Sequence, residues 1–249
     1  ADAFTPTVGG EAVAAVAGTL DGTERTQRLR IQDVRAPIGR PEDTPAPMAT
    51  SSELGSGLVT AWRDSVITLA DGTRDRLYLA DLAVGLGEQH QIVVTRDDGA
   101  EARVTVPIPD LTLAVTSVDP DASFRVDFAV NGLEGEVAAS PIVRYRIRRS
   151  NGTGEQDLIA SAPLDRRETP VTSLAVLGVA RTQGAQILYG TGPGDVVLVD
   201  VRLETMLRSG SPVPVERGVG GVQWEVPVSV ALPIPSAVVT QAGFVDARP

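Results

Sequence analysis

The sequence predicts an all-β fold, and three observations predict it. Apolar and polar residues alternate with period 2 along much of the chain, as half-buried strands require when successive side chains leave on opposite faces. Short turn signals built on Gly, Pro, Asn and Asp separate these runs. A helical pattern competes at one stretch, residues 171–181. The clearest case is residues 89–109. There His90, Ile92 and Val94 share one face of a first arm, and Ala102, Val104, Val106 and Ile108 share one face of a second. Asp98-Gly99 supplies the turn, because Gly accepts the positive φ of a tight hairpin at little steric cost. Pro107 and Pro109 then withhold two ladder donors and end the strand.

From the start of the chain, residues 1–10 read as a flexible tether. They hold Pro6, Gly9 and Gly10 and one large apolar side chain, Phe4, too little to fold alone. Residues 11–20 form a small apolar strand that Asp21-Gly22-Thr23 turns into a second. In that second strand Leu29 and Ile31 oppose Arg28, Arg30 and Gln32. Residues 36–55 are rich in Pro, Ser, Thr and Glu without periodicity and read as one long surface loop. Strand character returns at 57–69, and Asp71-Gly72-Thr73 turns the chain toward 76–79. The 89–109 hairpin closes a first sandwich spanning 11–109.

A second sandwich, 110–249, repeats the grammar. Phe124, Val126, Phe128 and Val130 alternate with polar residues, and Val143, Tyr145 and Ile147 alternate with Arg144, Arg146 and Arg148. Asn151-Gly152 turns the chain toward 157–160. Residues 171–181 carry the one expected short helix, with Thr172 or Ser173 as cap and Gly184 as stop. Residues 196–203 make an apolar, central strand. Val222, Trp224, Val226, Val228 and Val230 give the longest clean alternation. The expectation is two tandem immunoglobulin-like or fibronectin-like β-sandwiches with at most one or two short helices.

Composition removes several function classes. Cysteine is absent, so disulfides, thiolate metal sites and cysteine catalysis are excluded. Acidic residues outnumber basic ones 32 to 22, a formal charge of −10, which argues against nucleic acid as a partner. Every basic residue is arginine; the chain is lysine-free. No apolar run approaches the roughly 18 residues of a spanning helix, and the longest candidate, 226–239, is broken by Pro227, Pro233 and Pro235.

The candidate chemistry is sparse. His90 is the only histidine, and no Gly-x-Ser-x-Gly elbow accompanies it, so a structural or rim role is favoured over a Ser–His–Asp triad. The Asp-Gly pairs at Asp21, Asp71 and Asp98 lack the ligand spacing of an EF-hand and read as turns. Asp119-Pro120-Asp121 is a better calcium candidate but also reads as a turn. Residues 190–195 are glycine-rich, yet no lysine or helix start follows, so they read as a loop and not a phosphate cradle. Asn151-Gly152-Thr153 matches a glycosylation sequon, and Asn-Gly equally makes a hairpin turn. No metal and no cofactor are expected.

The most suggestive surface feature is Arg144, Arg146, Arg148 and Arg149. Three of them project from one strand face in an otherwise acidic molecule. One reading pairs them with cross-strand carboxylates such as Asp127, each pair contributing a few tenths of a kcal/mol. The other gives the row to an acidic partner or anionic headgroups, which guanidinium suits by bidentate pairing.

Several short segments resemble a family of uncharacterised outer-membrane lipoproteins of Gram-negative bacteria, often found beside TonB-dependent receptors. They are Thr26-Gln27-Arg28-Leu29-Arg30-Ile31-Gln32-Asp33, Trp62-Arg63-Asp64-Ser65, Ala70-Asp71-Gly72-Thr73, Val94-Thr95-Arg96-Asp97-Asp98-Gly99 and Ala242-Gly243-Phe244-Val245-Asp246-Ala247-Arg248. The family's asparagine before the closing motif is missing here, with residues 238–241 in its place. The resemblance implies an exported, lipid-anchored β-protein of the outer membrane or cell surface, without known catalysis, and transfers no functional residue. A lipid-modified cysteine at or just before Ala1 would follow from it. The expectation is therefore a non-enzymatic accessory, binding or scaffold protein. Its partner would be a surface protein, a TonB-dependent receptor or copies of itself, with no nucleic acid. The alternative is a structural subunit of an extracellular assembly or appendage; a carboxylate-dependent hydrolase acting on polysaccharide is least favoured, for want of a site.

Overall fold

The computed structural model describes residues 12–35, 45–72, 74–119, 125–131, 137–149, 154–161, 164–165, 171–173, 196–241 and 244–249. The tether at 1–10, the Asn151-Gly152 turn, the 190–195 loop and Pro120-Asp121 lie outside them. The fold is all-β, with one short helix among the described residues. The chain divides into two compact units. The first comprises Ala1–Asp110, Leu133–Ala138 and Arg208–Val226; the second comprises Leu111–Gly132, Ala139–Leu207 and Pro227–Pro249.

In the first unit, strands β1 (Ala14–Asp21), β2 (Thr26–Asp33), β3 (Met48–Glu53), β4 (Val59–Thr68), β5 (Arg74–Asp81), β6 (Gln89–Thr95) and β7 (Glu101–Pro107) join part of a later strand, β16 (Gly218–Ala231). Their order is β16-β1-β2-β5-β4-β3-β6-β7. Neighbours within it run antiparallel except β1 and β16, which run parallel with Val16 opposite Gly220. One isolated bridge links β7 back toward β16. Arg103 of β7 exchanges both backbone hydrogen bonds with Glu216, at 3.1 and 2.7 Å. Glu216 follows β15 (Val213–Pro214), which pairs with β16. Strand β4 makes a corner: residues 59–62 pair with β3 and residues 63–68 with β5. A strand that changes partners midway lets one sheet fold over its own core.

The core follows from the alternation. Leu29 and Ile31 of β2, Tyr78 and Ala80 of β5, Ile92 and Val94 of β6, and Ala102, Val104 and Val106 of β7 are all buried. Burial of each large apolar side chain contributes about 1.5–3 kcal/mol. The 89–109 hairpin forms as its sequence predicts, with Gly99 at φ +80° and the Gly99 N–H donating to the Arg96 carbonyl at 3.0 Å.

Two sequence readings need correction. The 36–55 stretch is not one loop, because it contains β3, hydrogen-bonded to β4 on one side and β6 on the other. Its inward residues are the small Ala49 and Ser51, while Met48 points out, 70% exposed. Hydrophobic alternation is therefore inverted, and the strand is invisible to a period-2 search. The expected helix at 171–181 begins instead as β13 (Val171–Ser173), paired with Arg125–Asp127 of β9. Val171 and Thr172 are β-branched and fit a ladder well; residues 174–181 lie outside the described residues.

In the second unit, β8 (Thr112–Asp119), β9 (Arg125–Asn131), β12 (Leu164–Asp165) and β13 form a four-stranded sheet in the order β12-β13-β9-β8. A second run, β11-β10-β14, is built from β11 (Glu155–Ser161), β10 (Val137–Arg149) and β14 (Val196–Ser209); β16 and the short β17 (Val245–Asp246) flank β14. Tyr145 and Ile147 of β10 and Leu198, Val201, Leu203 and Leu207 of β14 are buried. The helix is α1 (Ser236–Gln241), which buries Val238 and Val239. Pro235 precedes it, and its carbonyl accepts from the N–H groups of Val238 and Val239 at 2.9 and 3.2 Å. Proline fixes φ where a helix starts and needs no N–H there. Six residues are too few to display a helical period, so sequence pattern misses this helix. Among the described residues no helix is long and apolar enough to cross a membrane.

Candidate functional site

The arginine row lies on β10, whose inward residues Tyr145 and Ile147 leave Arg144, Arg146 and Arg148 on the opposite face. Arg144 donates from Nε to both carboxylate oxygens of Glu204 on β14, each at 2.8 Å. Arg146 stands 3.8 Å from Glu155 of β11, with both side chains nearly half exposed. Arg148 sits opposite Glu155 in the β10–β11 ladder, and its Nε is buried without a hydrogen-bond partner. Arg149 ends β10. Asp127 is not the carboxylate beside the row: it lies on β9, in the four-stranded sheet. On the neighbouring β14, Arg202 reaches Ser229 Oγ at 3.2 and 3.1 Å and Asp200 at 3.8 Å. This face thus alternates guanidinium with carboxylate, and such mixed charge gives polar specificity more than affinity.

The other candidates resolve into local structure. His90 is 1% exposed, and its Nε2 lies 2.9 Å from Glu88 Oε2, which also accepts the Gly85 N–H at 2.8 Å. That arrangement ties the β5–β6 connection to the hairpin. The His90 Nδ1, Ser51 Oγ and Trp62 Nε1 are buried without partners. Asp21 Oδ1 accepts from the backbone and hydroxyl of Thr23, at 2.7 and 2.6 Å. Asp98 accepts two bonds from Arg96 and one from the Ala100 N–H. Both are turn chemistry of aspartate with its own backbone. Among the described residues no group of three or more acids and histidines is placed to hold a metal ion.

An ion network does link separate strands. Arg35 binds Asp33 at the end of β2 and Asp97 in the β6–β7 turn, each at 2.6 Å, and Arg96 binds Asp98 beside them. Hydrogen bonds from Arg35 hold the Asp33 carboxyl below the usual carboxylate range, and those from Arg96 do the same for Asp98. Arg248 depresses Asp246 in the second unit likewise. Burial pushes the Tyr78 hydroxyl up to about 12, and burial also raises that of Tyr145.

A cavity of about 260 Å³ opens in the first unit, and sequence reasoning does not find it. Strands β2 and β5 pair as far as Arg30 opposite Leu77 and then part, although β2 runs on to Asp33 and β5 begins at Arg74. The wedge between them is lined by Arg30, Gln32, Arg74, Asp75 and Arg76, with Ala15–Ala17 of β1 and Val219–Gly220 of β16 behind. Arg30 Nη2 spans it to Asp75 at 2.7 Å. The sequence carries the charges, in Arg28-Leu29-Arg30 and Arg74-Asp75-Arg76, but no signal that brings the end of one strand to the start of another.

No family model matches the chain, and no curated protein matches it. Among solved structures, a pullulanase from Anoxybacillus sp. LM18-11, complexed with maltotriose, matches at 10% identity and a TM-score of 0.25, covering 81% of this chain and 25% of the pullulanase. The chain thus spans about a quarter of that enzyme's length.

Proposed function

We propose that this protein is a non-catalytic accessory or scaffold protein of the cell surface, anchored to the outer membrane by lipid, that binds an acidic protein partner through the β10 arginine face. The observation that carries the reading is the row itself: Arg144, Arg146 and Arg148 share the outward face of β10, the Arg146 side chain 46% exposed, in a chain of charge −10. An exposed guanidinium such as that of Arg146 suits bidentate pairing with a partner's carboxylate. Arg148 beside it has a buried Nε with no acceptor. The location rests on the family resemblance of the Trp62-Arg63-Asp64-Ser65 and Arg96-Asp97-Asp98-Gly99 segments. Either a TonB-dependent receptor or a second copy of this chain fits as partner.

The test is fractionation of the native envelope, followed by cross-linking and mass spectrometry. The protein should sediment with outer membranes and cross-link to a surface protein, and Arg146→Glu with Arg148→Glu should abolish that cross-link while the fold persists. Recovery in the cytosolic fraction, or unchanged cross-linking by the double variant, overturns the proposal. A second reading, a subunit of an extracellular assembly, is favoured by one observation: among the described residues β11 stands at the end of its sheet order, with β10 as its one neighbour. An edge of that kind can accept another chain's strand. Concentration-dependent ladders in light scattering would favour it.

A further inference from the structure

We propose that the wedge between β2 and β5 is a binding site for a small carboxylate carried on a short apolar body. The wedge is a break in a ladder. Arg30 and Leu77 are the last pair, after which residues 31–33 of β2 and 74–76 of β5 face each other without pairing. Behind it Ala15, Ala17 and Val219 supply small apolar surface, and the Gly220 backbone approaches β1 so closely that no side chain fits between. Three of the lining residues are arginines and one is aspartate, in a chain whose formal charge is −10. Among them the exposed guanidinium of Arg30 suits an anion.

The geometry around Arg30 names the chemistry. Its side chain is 60% exposed, and Asp75 engages it through Nη2 at 2.7 Å. A guanidinium offers five N–H donors in a planar fork, so one carboxylate on one nitrogen leaves donors for a second. The incoming carboxylate either joins Asp75 on the fork or displaces it. At about 260 Å³ the cavity lies just under the range of drug-sized sites, roughly 300–1,000 Å³. It suits a short branched acid or the last residue of a polypeptide, and the apolar floor favours an aliphatic body over a bare inorganic anion.

The experiment is an amide-resolved NMR titration of the full chain with four probes: isovalerate, N-acetyl-alanyl-valine, the C-terminal amide of that dipeptide, and inorganic phosphate. The acids should move the amides of Ala15, Ala17, Gln32 and Asp75, with the dipeptide amide and phosphate at least about tenfold weaker, the loss of one charge-assisted contact. Arg30→Gln should weaken the acids by a similar factor. Asp75→Asn removes the competing carboxylate and should tighten them several-fold, a gain that unfolding cannot produce. Dipeptide binding about tenfold tighter than isovalerate assigns the site to polypeptide C-termini, and equal binding assigns it to free small acids. The proposal is overturned by any of three results: unmoved wedge amides, acid and amide binding alike, or a folded Arg30→Gln that binds as the parent does.

Discussion

Replacing Gly220 by alanine tests the parallel pairing of β16 with β1 in the first unit. Gly220 sits opposite Val16 with φ +88°, a left-handed conformation that an L side chain enters at about 1–2 kcal/mol. A Cβ built there lies 2.4 Å from the Val16 carbonyl oxygen, against an ordinary contact of about 3.5 Å. The obstacle is backbone, so no rotamer relieves it. Instead β1 and β16 must separate by about 1 Å, an overpacking cost of about 1–3 kcal/mol. Gly99→Ala is the internal control. Its φ of +80° is nearly the same, but nothing lies within 4 Å of its Cβ, so it carries the conformational cost alone. Taking roughly 3 kcal/mol for Gly220→Ala and roughly 1 for Gly99→Ala, the difference is about 2 kcal/mol. At about 2–4 °C per kcal/mol for a chain of this size, the two melting temperatures should differ by about 4–8 °C. Thermal melts followed by circular dichroism, with urea midpoints beside them, read the gap. If both variants melt together, or Gly220→Ala is the milder, the close β1–β16 approach is wrong.

Other outcomes follow from single contacts. Asp33, Asp98 and Asp246 have depressed folded pKa values, so the unfolded chain binds more protons below about pH 4. Their stabilisation is therefore present above that pH and lost as pH falls through the folded values. Melting temperature should drop progressively in acid, and Asp33→Asn should flatten the slope. Tyr78→Phe removes a hydroxyl that donates to the Pro47 carbonyl at 2.8 Å and should cost about 1 kcal/mol in urea unfolding. Tyr145→Phe removes a buried hydroxyl without a partner and should be neutral or stabilising in the same assay. Arg144→Ala breaks the two-oxygen contact with Glu204 and should cost up to about 1 kcal/mol, whereas Arg146→Ala should cost less than about 0.5 by the same measurement.

Much of the fold is legible in the sequence because most inward positions hold large apolar residues. Leu29 and Ile31, then Ile92 and Val94, then Val222, Trp224 and Val226 announce their faces directly. Turns are legible for a related reason, since Asp98-Gly99 and Asp71-Gly72 combine a carboxylate with a residue that accepts positive φ. Strand β3 is illegible because Ala49 and Ser51 face inward and Met48 faces out. Its identity comes from β4 and β6 supplying hydrogen bonds on both sides, which is tertiary information. Helix α1 fails for want of length, and β13 because Val171-Thr172-Ser173 satisfies a helix cap and a strand equally.

The candidate sites divide along the same line. Outward arginines on β10 follow from alternation alone, but their partners do not. Asp127 has the right charge and the wrong sheet, while Glu204 is 60 residues from Arg144 and meets it only because β14 lies beside β10. The wedge is further removed from local pattern. It exists because β5 pairs with β4 over Arg74–Leu79 but with β2 only over Leu77–Asp81. At the open end Arg74–Arg76 keep their β4 partners, Val66–Thr68, while β2 offers them none. A ladder that ends early leaves two strand segments facing across a gap, and the residues at those positions, Gln32 and Arg74–Arg76, are polar or charged where a continuous sheet would have let neighbours pair. Alternation reports which side of a strand faces the core; it says nothing about where a ladder stops. The proposed binding surface therefore lies where the β2–β5 ladder stops, past Arg30 and Leu77.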